Sequence, residues 1–584
     1  MKAACFIRRI RQIRDSTSLR RSPIAMATVL INEIPVEIGP SETLNCIQAA
    51  QRAGVEIPSY CWHPEMSVVA SCRMCLVEVG DKKPDGTIAM QGKLFPGCQT
   101  PVKDGTVIVS NSEKVKAAQK ATLEYLLLNH PLDCPVCDQA GECGLQDYSY
   151  EYGRGYSRLQ EPKNIKPDKN DIGDQITLFT DRCIMCTRCV RFTREISGTA
   201  ELQIVSRGTH EEIDIFPGDP CNNKLAGNVV DLCPVGALCS KDFLYEQRVW
   251  WLKTKNSVCP GCSTGCSITV DQNEDVLHRL KPRVNEQAQG HFMCDDGRFG
   301  WKYVHSEQRL TRPEQRSQGT LVAHDWETVL PALRKQLQDA TRHAPSKFAV
   351  VISPWATVEE AYLLAKYAKT LTSQARLAIG PVRRIGADDL YPKDVHGQPA
   401  LPAKFVIRAE KCPNRRGVEA VLQNLQGCVV EFSQILDQIS RGEIETLFVL
   451  GGDPAGWIRE EDVEKLKNLK LLVVEDLLES AASRQADFVL PGAAWAEKDG
   501  SFVNHNGLAQ AIHRALRGPQ ESRPDGRILM DLSERKGLFH APTLRSEIGR
   551  EIPALAALSI GELGELGVML QTPIVTEKPR LQPT

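Results

Sequence analysis

Residues 181–192 read DRCIMCTRCVRF, and residues 227–238 read GNVVDLCPVGAL. The first stretch sets Cys183, Cys186 and Cys189 in C-x2-C-x2-C spacing. In iron–sulfur proteins with two clusters this run continues as x3-C-P, and its fourth cysteine serves the other cluster. Here that fourth position is Thr193. The partner run has to end in Cys-Pro, and Cys233-Pro234 supplies it. Counting back from Cys233 by the same spacing reaches Asn223, Ala226 and Val229, none of them a ligand. One cluster therefore survives, held by Cys183, Cys186, Cys189 and Cys233, while its twin has lost four thiolates together. A zinc site would not explain a pair broken in this way. The expectation is a small ferredoxin-like α+β domain over residues 172–250 with one [4Fe–4S] cluster.

Upstream, HPLDCPVCDQAGECGLQDYSY (His130–Tyr150) carries Cys134, Cys137 and Cys143. The preceding EKVKAAQKATLEYLLLNH sets Val115, Ala118, Leu123, Leu126 and Leu127 on one helical face. Its end delivers His130 to the cysteine loop. A histidine there can simply cap the helix, because a cation suits the C-terminal dipole. Three cysteines alone, however, leave a cubane one ligand short. H-x3-C-x2-C-x5-C offers four ligands within fourteen residues, so His130 is read as a ligand through a ring nitrogen, in a [4Fe–4S] domain at 111–150. A neutral imidazole in place of a thiolate removes one negative charge, which is one determinant of cluster potential.

Nearer the N-terminus lie Cys61, Cys72, Cys75 and Cys98. TVLINEIPVEI alternates and breaks at Asn32-Glu33, a turn between two strands. ETLNCIQAAQRAGVEIP is a helix closed by Gly54 and Pro58. CLVEVG and GTVIVS are further strands. A small sheet with one helix and a cysteine-rich loop, at 28–110, looks like a [2Fe–2S] ferredoxin of β-grasp type. Its first gap is ten residues, against four in the plant-type spacing. Four cysteines on zinc would be the competing occupant.

A fourth set, Cys259, Cys262, Cys266 and Cys294, has C-x2-C-x3-C-x27-C spacing within 252–308. It suits zinc or a cubane; after three iron–sulfur sites, a cubane is the reading. Cys5, Cys46, Cys221, Cys239, Cys412 and Cys428 are left as packing residues.

The whole chain has 584 residues, 21 cysteines and a formal charge of −2. The length implies several domains, and near-neutrality implies no general affinity for nucleic acid or acidic lipid. Nineteen cysteines precede residue 300, most in tight spacings. With no secretory signal at the start, that pattern points to metal ligation in a reducing compartment rather than to disulfides. There is no apolar run of 18 residues to span a membrane. Residues 1–27 carry seven Lys and Arg against one acid, Asp15. That is transit-peptide composition; a mis-called start, with translation beginning at Met26, is the alternative.

Four motifs in this order, CWHPEMSVVASCRMCLVEV, HPLDCPVCDQAGECGLQD, DRCIMCTRCVRF and GNVVDLCPVGAL, closely resemble the large iron–sulfur subunit of respiratory NADH:quinone oxidoreductase (complex I), in its bacterial type. The resemblance covers about residues 28–300. It implies a [2Fe–2S] cluster on the first set and [4Fe–4S] clusters on the second and third, and His130 matches the family's histidine ligand. The fourth set resembles the entrance cluster of molybdopterin oxidoreductases, which bacterial complex I members often keep and mitochondrial ones usually lack. In the family it lies off the main electron path. This favours a bacterial protein starting at Met26, on the cytoplasmic face of the inner membrane; the alternative is the matrix side of the mitochondrial inner membrane.

Between 309 and 540, FAVVIS, TLFVLGGDP and LLVVED are apolar runs ending in turns, separated by helical stretches such as TVEEAYLLAKYAKTL. That alternation is a doubly wound α/β domain. ADFVLPGAAWAEKDGSFVNHNG and CPNRRGVEAV resemble the molybdopterin-oxidoreductase fold, in which complex I members carry no molybdenum. Gly451-Gly452-Asp453 reads as a plain turn rather than a phosphate cradle. Residues 541–584 read as a tail. The expected cofactors are one [2Fe–2S] and two or three [4Fe–4S] clusters, without molybdopterin. No G-x-G-x-x-G fingerprint sits between strand and helix, so NADH and flavin belong on a partner subunit, and the chain conducts electrons from that flavin towards quinone. The competing readings are the catalytic subunit of a NAD-linked molybdenum formate dehydrogenase, with Cys412 or Cys428 on the metal, and a zinc-stapled scaffold.

Overall fold

The computed structural model describes residues 26–570; the basic segment ahead of Met26 and the last residues of the tail lie outside the described residues. The described chain divides into two compact units. The first runs to Pro131 and takes in 144–164 and 184–186; the second holds 132–143, 165–183 and everything from 187 onward.

In the first unit β1 (Ala27–Ile31) and β2 (Ile34–Ile38) form a hairpin. Asn32 and Glu33 take positive φ at its turn, the conformation a two-residue hairpin loop requires. Helix α1 (Cys46–Arg52) starts in a capping box between Asn45 and Gln48. Strands β3 (Leu76–Lys82), β4 (Ile88–Pro96) and β5 (Thr106–Val109) complete a sheet in the order β2-β1-β5-β3-β4, with β1 and β5 parallel. Ala49 and Ala50 of α1 pack with Val29, Ile31, Val77 and Ile108 of the sheet. One helix over a mixed sheet is the β-grasp arrangement the alternation predicts. Helix α2 (Glu113–Leu128) buries Val115 and Leu123, and α3 (Gly144–Tyr152) packs against it.

The second unit begins with β6 (Ile176–Leu178), helix α4 (Arg188–Phe192), the hairpin β7 (Leu202–Val205) and β8 (Glu212–Ile215), helix α5 (Asn228–Leu232) and β9 (Leu238–Ser240). Strands β6 and β9 pair antiparallel, and α4 packs on α5. Then β10 (Lys253–Val258), β11 (Ser267–Asn273) and β12 (Val276–Pro282) form an antiparallel sheet, followed by the short α6 (Asp295–Phe299).

The largest element is an eight-stranded sheet. It uses β13 (Glu314–Ser317), β14 (Thr320–Ala323), β15 (Phe348–Ile352) and β16 (Arg376–Ile379). After the small hairpin β17 (Asp389–Tyr391) and β18 (Phe405–Ile407) come β19 (Val430–Glu431), β20 (Thr446–Leu450), β21 (Leu471–Asp476) and β22 (Phe488–Pro491). The order is β14-β13-β22-β21-β20-β15-β16-β19, parallel from β22 to β19. Phe348, Val350 and Ile352 enter one core and Ala349 and Val351 the other. Both faces are therefore covered, which is why these strands read as unbroken apolar runs rather than alternating ones. Helices α7 (Trp326–His343), α8 (Val358–Leu371) and α9 (Arg415–Gln426) pack on the first face, and α10 (Phe432–Ser440) on the second. The short α11 (Glu460–Val463), the hairpin β23 (Gly500–Val503) and β24 (Leu508–Ile512), and α12 (Asp525–Leu532) follow.

Residues 541–570 correct the reading of a tail. Helix α13 (Ala541–Glu551) and the turns after it put Leu544, Ile548, Ile552, Leu555 and Leu558 into the first core, and β25 (Val568–Met569) pairs with β24. The apolar positions recur at three- and four-residue spacing, but the surrounding Gly, Pro and Glu hide them. The Gly451-Gly452 turn is also settled: Gly452 N–H donates to the Asp476 carboxylate at 2.8 Å. A protein carboxylate already takes that amide, and no phosphate is needed to explain the glycine pair.

Candidate metal centres

In the first set the four sulfurs converge. Cys61 Sγ shares hydrogen bonds with Cys72 and Cys98, and Cys98 also with Cys75. Cys61, Cys75 and Cys98 are buried and Cys72 is half-buried. Ala70 and Arg73 take positive φ, bending the loop so that Cys72 and Cys75 both reach inward. Cys98 arrives from the turn after β4. Cys46 lies close by but donates to Thr100 O at 3.4 Å, and burial pushes its thiol up to about 12. It is a packing residue, as its sequence position suggested.

The fourth set also converges. Cys259, Cys262, Cys266 and Cys294 are all buried and line one small cavity. The loop is closed by Cys259 N–H to Cys266 O at 2.8 Å. Gly297 forms one wall: a Cβ there would lie 2.8 Å from Cys259 Sγ and 3.6 Å from Cys294 Sγ. The cavity is open because this position is glycine. Burial pushes Cys259 up to about 12, with the charge of Cys262 adding to it. Four buried sulfurs facing one cavity are a donor set that fits a bound metal centre. Spacing pointed to the four cysteines; nothing in the sequence signals a purely steric glycine.

Helix α2 bears on His130. Lys163 Nζ donates to the last-turn carbonyls of Leu127 and Leu128 at 2.8 and 2.7 Å. A lysine thus supplies a cation at that helix end. His130 and Cys186 belong to the first unit, and Cys134, Cys137, Cys143, Cys183, Cys189 and Cys233 to the second. Within the second unit Arg248 anchors the loop of the second set, donating to Cys137 O at 2.8 Å. Cys137 and Cys143 are buried and Cys134 is exposed.

In the third set, Cys189 sits on α4 and Cys233 directly follows α5. The amides of Leu238, Val235 and Ala237 hydrogen-bond to Cys233 Sγ. Amides pointed at sulfur stabilise a thiolate, and such bonds tune cluster potential. The positions where the ligands of a twin cluster would stand are packed or hydrogen-bonded within the protein. Ala226 and Val229 are 2 % and 0 % exposed, Thr193 Oγ1 donates to Val190 O at 3.1 Å, and Asn223 Nδ2 donates to Glu201 at 3.0 Å. Cys221 is buried beside Asn223, a spare from that site. Cys221→Ser is expected to leave the iron content unchanged, by assay of iron and acid-labile sulfide. A fall of several irons per chain would restore it as a ligand.

Beside the fourth set, a cleft of about 300 Å3 is lined by Trp301, Tyr303, Trp355 and Trp495, with Arg383 and Lys411 at its polar edge. Its lining holds no cysteine other than Cys259. Cys412 is 1 % exposed and lies outside that lining, and Cys428 is on the surface.

Comparison with known proteins follows the same order along the chain. A 2Fe-2S iron-sulfur cluster binding domain model matches residues 25–113, and a NADH-ubiquinone oxidoreductase-G iron-sulfur binding region matches 119–158. The ferredoxin-like domain of NADH-quinone oxidoreductase subunit 3 matches 173–239. A molybdopterin oxidoreductase Fe4S4 domain matches 252–306, and molybdopterin oxidoreductase matches 309–398 and 420–535. The matches thus lay iron–sulfur domain models along residues 25–306 and a molybdopterin oxidoreductase model on the α/β domain that follows.

Curated relatives similar to the chain are named as subunits of NADH-quinone and NADH-ubiquinone oxidoreductases. The G subunit of the NADH-quinone oxidoreductase of Rickettsia conorii is 37% identical over 340 residues, 58% of this chain and 48% of the relative. The NADH-ubiquinone oxidoreductase 75 kDa subunit of Reclinomonas americana is 39% identical over 314 residues, 54% and 44%. The chain thus spans about half the length of the curated relatives it matches. Among solved structures, a chain of a NAD+-reducing [NiFe]-hydrogenase is 28% identical, covering 38% of this chain and 92% of that one, with a TM-score of 0.33. Among the described residues no helix is long and apolar enough to cross a membrane.

Proposed function

We propose that this chain is the electron-transfer subunit of a NADH:quinone oxidoreductase, receiving electrons from NADH through a flavin on a partner subunit and passing them towards quinone, in a complex that couples the transfer to proton pumping. The observation that carries this reading is the succession of four ligand sets, two of which converge on closed, thiol-lined sites. Cys61, Cys72, Cys75 and Cys98 would hold a [2Fe–2S] cluster. His130 with Cys134, Cys137 and Cys143, and Cys183, Cys186 and Cys189 with Cys233, would each hold a [4Fe–4S] cluster. Cys259, Cys262, Cys266 and Cys294 would hold a further one, off the main path. For His130 and Cys186 the assignment rests on spacing and on the resemblance. When bound, the clusters supply one-electron chemistry; the protein supplies ligation, burial and amides aimed at sulfur. No side chain needs to act as a general acid or base.

A molybdenum enzyme is the less favoured reading, since Cys412, although it follows Lys411 at the edge of the cleft beside the fourth set, is buried and does not line that cleft. The association would be peripheral, with membrane contact only through partner subunits; the resemblance of the fourth cysteine set favours the cytoplasmic face of a bacterial inner membrane. The deciding experiment is metal and acid-labile sulfide analysis of anaerobically purified protein. Iron with sulfide is expected; stoichiometric molybdenum would make the chain a dehydrogenase, and zinc alone a scaffold.

His130 gives a sharper test. His130→Cys is expected to keep its cubane at a lower potential, because a thiolate adds negative charge. His130→Ala is expected to lose that cluster, with the other sites loaded, as read by electron paramagnetic resonance. An unaltered cluster signal in the alanine variant would remove His130 from the ligand set.

A further inference from the structure

Each residue between Cys262 and Cys266 has its carbonyl held by the β23–β24 hairpin of the α/β domain. Ser263 O accepts from the His505 backbone N–H and from its Nδ1, each at 2.9 Å. Thr264 O accepts from Asn504 Nδ2 at 3.0 Å, and Gly265 O from Gln510 Nε2 at 2.7 Å. Asn504 and Gln510 are 2 % and 3 % exposed. Arg408 Nη2 lies 2.7 Å from His505 Nε2, which makes that nitrogen the acceptor and leaves the ring proton on Nδ1. Gln510 is oriented in turn. Asn285 Nδ2 donates to Ser267 Oγ at 2.9 Å, and Ser267 Oγ donates to Gln510 Oε1 at 2.6 Å. With its oxygen engaged in this way, the Gln510 amide presents its nitrogen to Gly265. Gly265 takes a positive φ, and a Cβ on it would lie 3.0 Å from Asn504 Cβ, so hairpin and loop meet at backbone distance.

A trans peptide is planar, so its C=O and N–H point in opposite directions. With Gly265 O drawn to Gln510, the N–H of Cys266 is turned the other way, and it meets Cys266 Sγ. The positive end of an amide at a ligating sulfur favours the more negative, reduced state of a cluster, and hydrogen bonds to sulfur are among the determinants of cluster potential. We propose that Gln510 is a positioning residue of the fourth metal centre: through the Gly265–Cys266 peptide it aims an amide at a ligand sulfur, and with Asn504 and His505 it makes the α/β domain the outer support of that centre. The inference rests on the iron–sulfur reading of the fourth set. It gives the α/β domain a task that needs no molybdenum, since partners one step beyond the ligands orient them and tune the metal.

The test uses the full chain, purified anaerobically, in redox titrations followed by electron paramagnetic resonance. The signal of the fourth cluster is assigned by its loss in Cys294→Ser. Gln510→Met keeps the length of the side chain and removes its donor. The variant is expected to hold the same iron and acid-labile sulfide as the wild type and to titrate the fourth cluster at a lower potential, with the other cluster potentials unmoved. A side chain that merely packs would shift none of them, so an unmoved fourth potential at full iron would overturn the proposal. Should the variant fail to load the fourth set, the wild type decides. Pulsed resonance on protein labelled with nitrogen-15 cysteine is expected to show a cysteine amide nitrogen coupled to the fourth cluster, and absence of that coupling overturns the proposal. A wild type showing the other cluster signals without the fourth would instead defeat the iron–sulfur reading of that set, and the inference with it.

Discussion

Cys98→Ala is expected to strip the first site of its iron and to loosen the domain around it, whereas Cys46→Ala, deeper in the same core, is expected to keep the cluster. The two cysteines are both buried, at 1 % and 0 % exposure. Burial therefore does not separate them; the company each sulfur keeps does. Cys98 joins the circuit with Cys61 and Cys75, and it is the ligand that ties the turn after β4 to the cysteine loop. Thiol–thiol hydrogen bonds are weak by themselves, so without a metal this circuit contributes little. With a metal, ligand binding becomes folding free energy, and losing one ligand of four removes most of it. Cys46 only fills space and bonds one carbonyl, so its truncation should cost about 1 kcal/mol, the centre of the range for single substitutions. Iron analysis and thermal unfolding of both variants distinguish the cases. Full iron in Cys98→Ala, or iron loss in Cys46→Ala, would mean the ligands are misassigned.

Much of the fold follows from patterns short enough to see in one sequence. The hairpin at Asn32-Glu33 follows from alternation broken by turn residues, and the parallel strands follow from unbroken apolar runs covered on both faces. Strand β4 does not, because IAMQGKLFP is mostly exposed and carries a glycine within it, so neither face imposes a period. Helix α13 does not either, since its core positions are spread through a segment whose composition reads as loop. The sites divide in the same way. The proposed ligands stand out in the sequence, because a metal would fix their spacing and their chemistry. Gly236 and Gly297 do not, because what matters there is a missing side chain, and the sulfurs it would strike, on Cys137 and Cys259, belong to distant parts of the chain.

The least legible feature is electrostatic. Glu360, at the start of α8, reads as an ordinary first-turn acid that favours the helix dipole. In the fold it is 0 % exposed. Its carboxylate accepts from Thr357 N–H in a capping box and from Lys498 Nζ at 2.9 Å. Lys498 also donates to Asp525 at 3.0 Å. Glu475 is buried next to this group, and neither of its carboxylate oxygens has a partner. Burial, and then the charge of Asp525, push its proton affinity well up. One lysine thus holds two carboxylates in a region that water does not reach, with a third, neutral acid beside them.

Lys498→Met is therefore expected to be among the most damaging single changes in the α/β domain. Burial alone would favour neutral Lys498, but the charges of Asp525 and Glu360 outweigh it and raise its proton affinity, so in the wild type the lysine stays charged across the working pH range. Removing it leaves Glu360 and Asp525 without a counter-charge, and breaking a buried pair from one side costs about 3–5 kcal/mol. Burial pushes Glu360 up to about 7 from an ordinary 4.5. A raised carboxylate adds stability in full below its unfolded value, and that stability is lost as pH rises through the folded value. Between about pH 5.5 and about pH 8 Glu360 passes from protonated to charged. Deprotonation is tolerable with Lys498 present and costly without it. The variant should accordingly lose several kcal/mol at about pH 8 and markedly less at about pH 5.5, in urea unfolding followed by tryptophan fluorescence, while the wild type changes less over the same interval. A loss below about 1 kcal/mol at the higher pH, or an equal loss at both, would show that the lysine is not neutralising these buried acids.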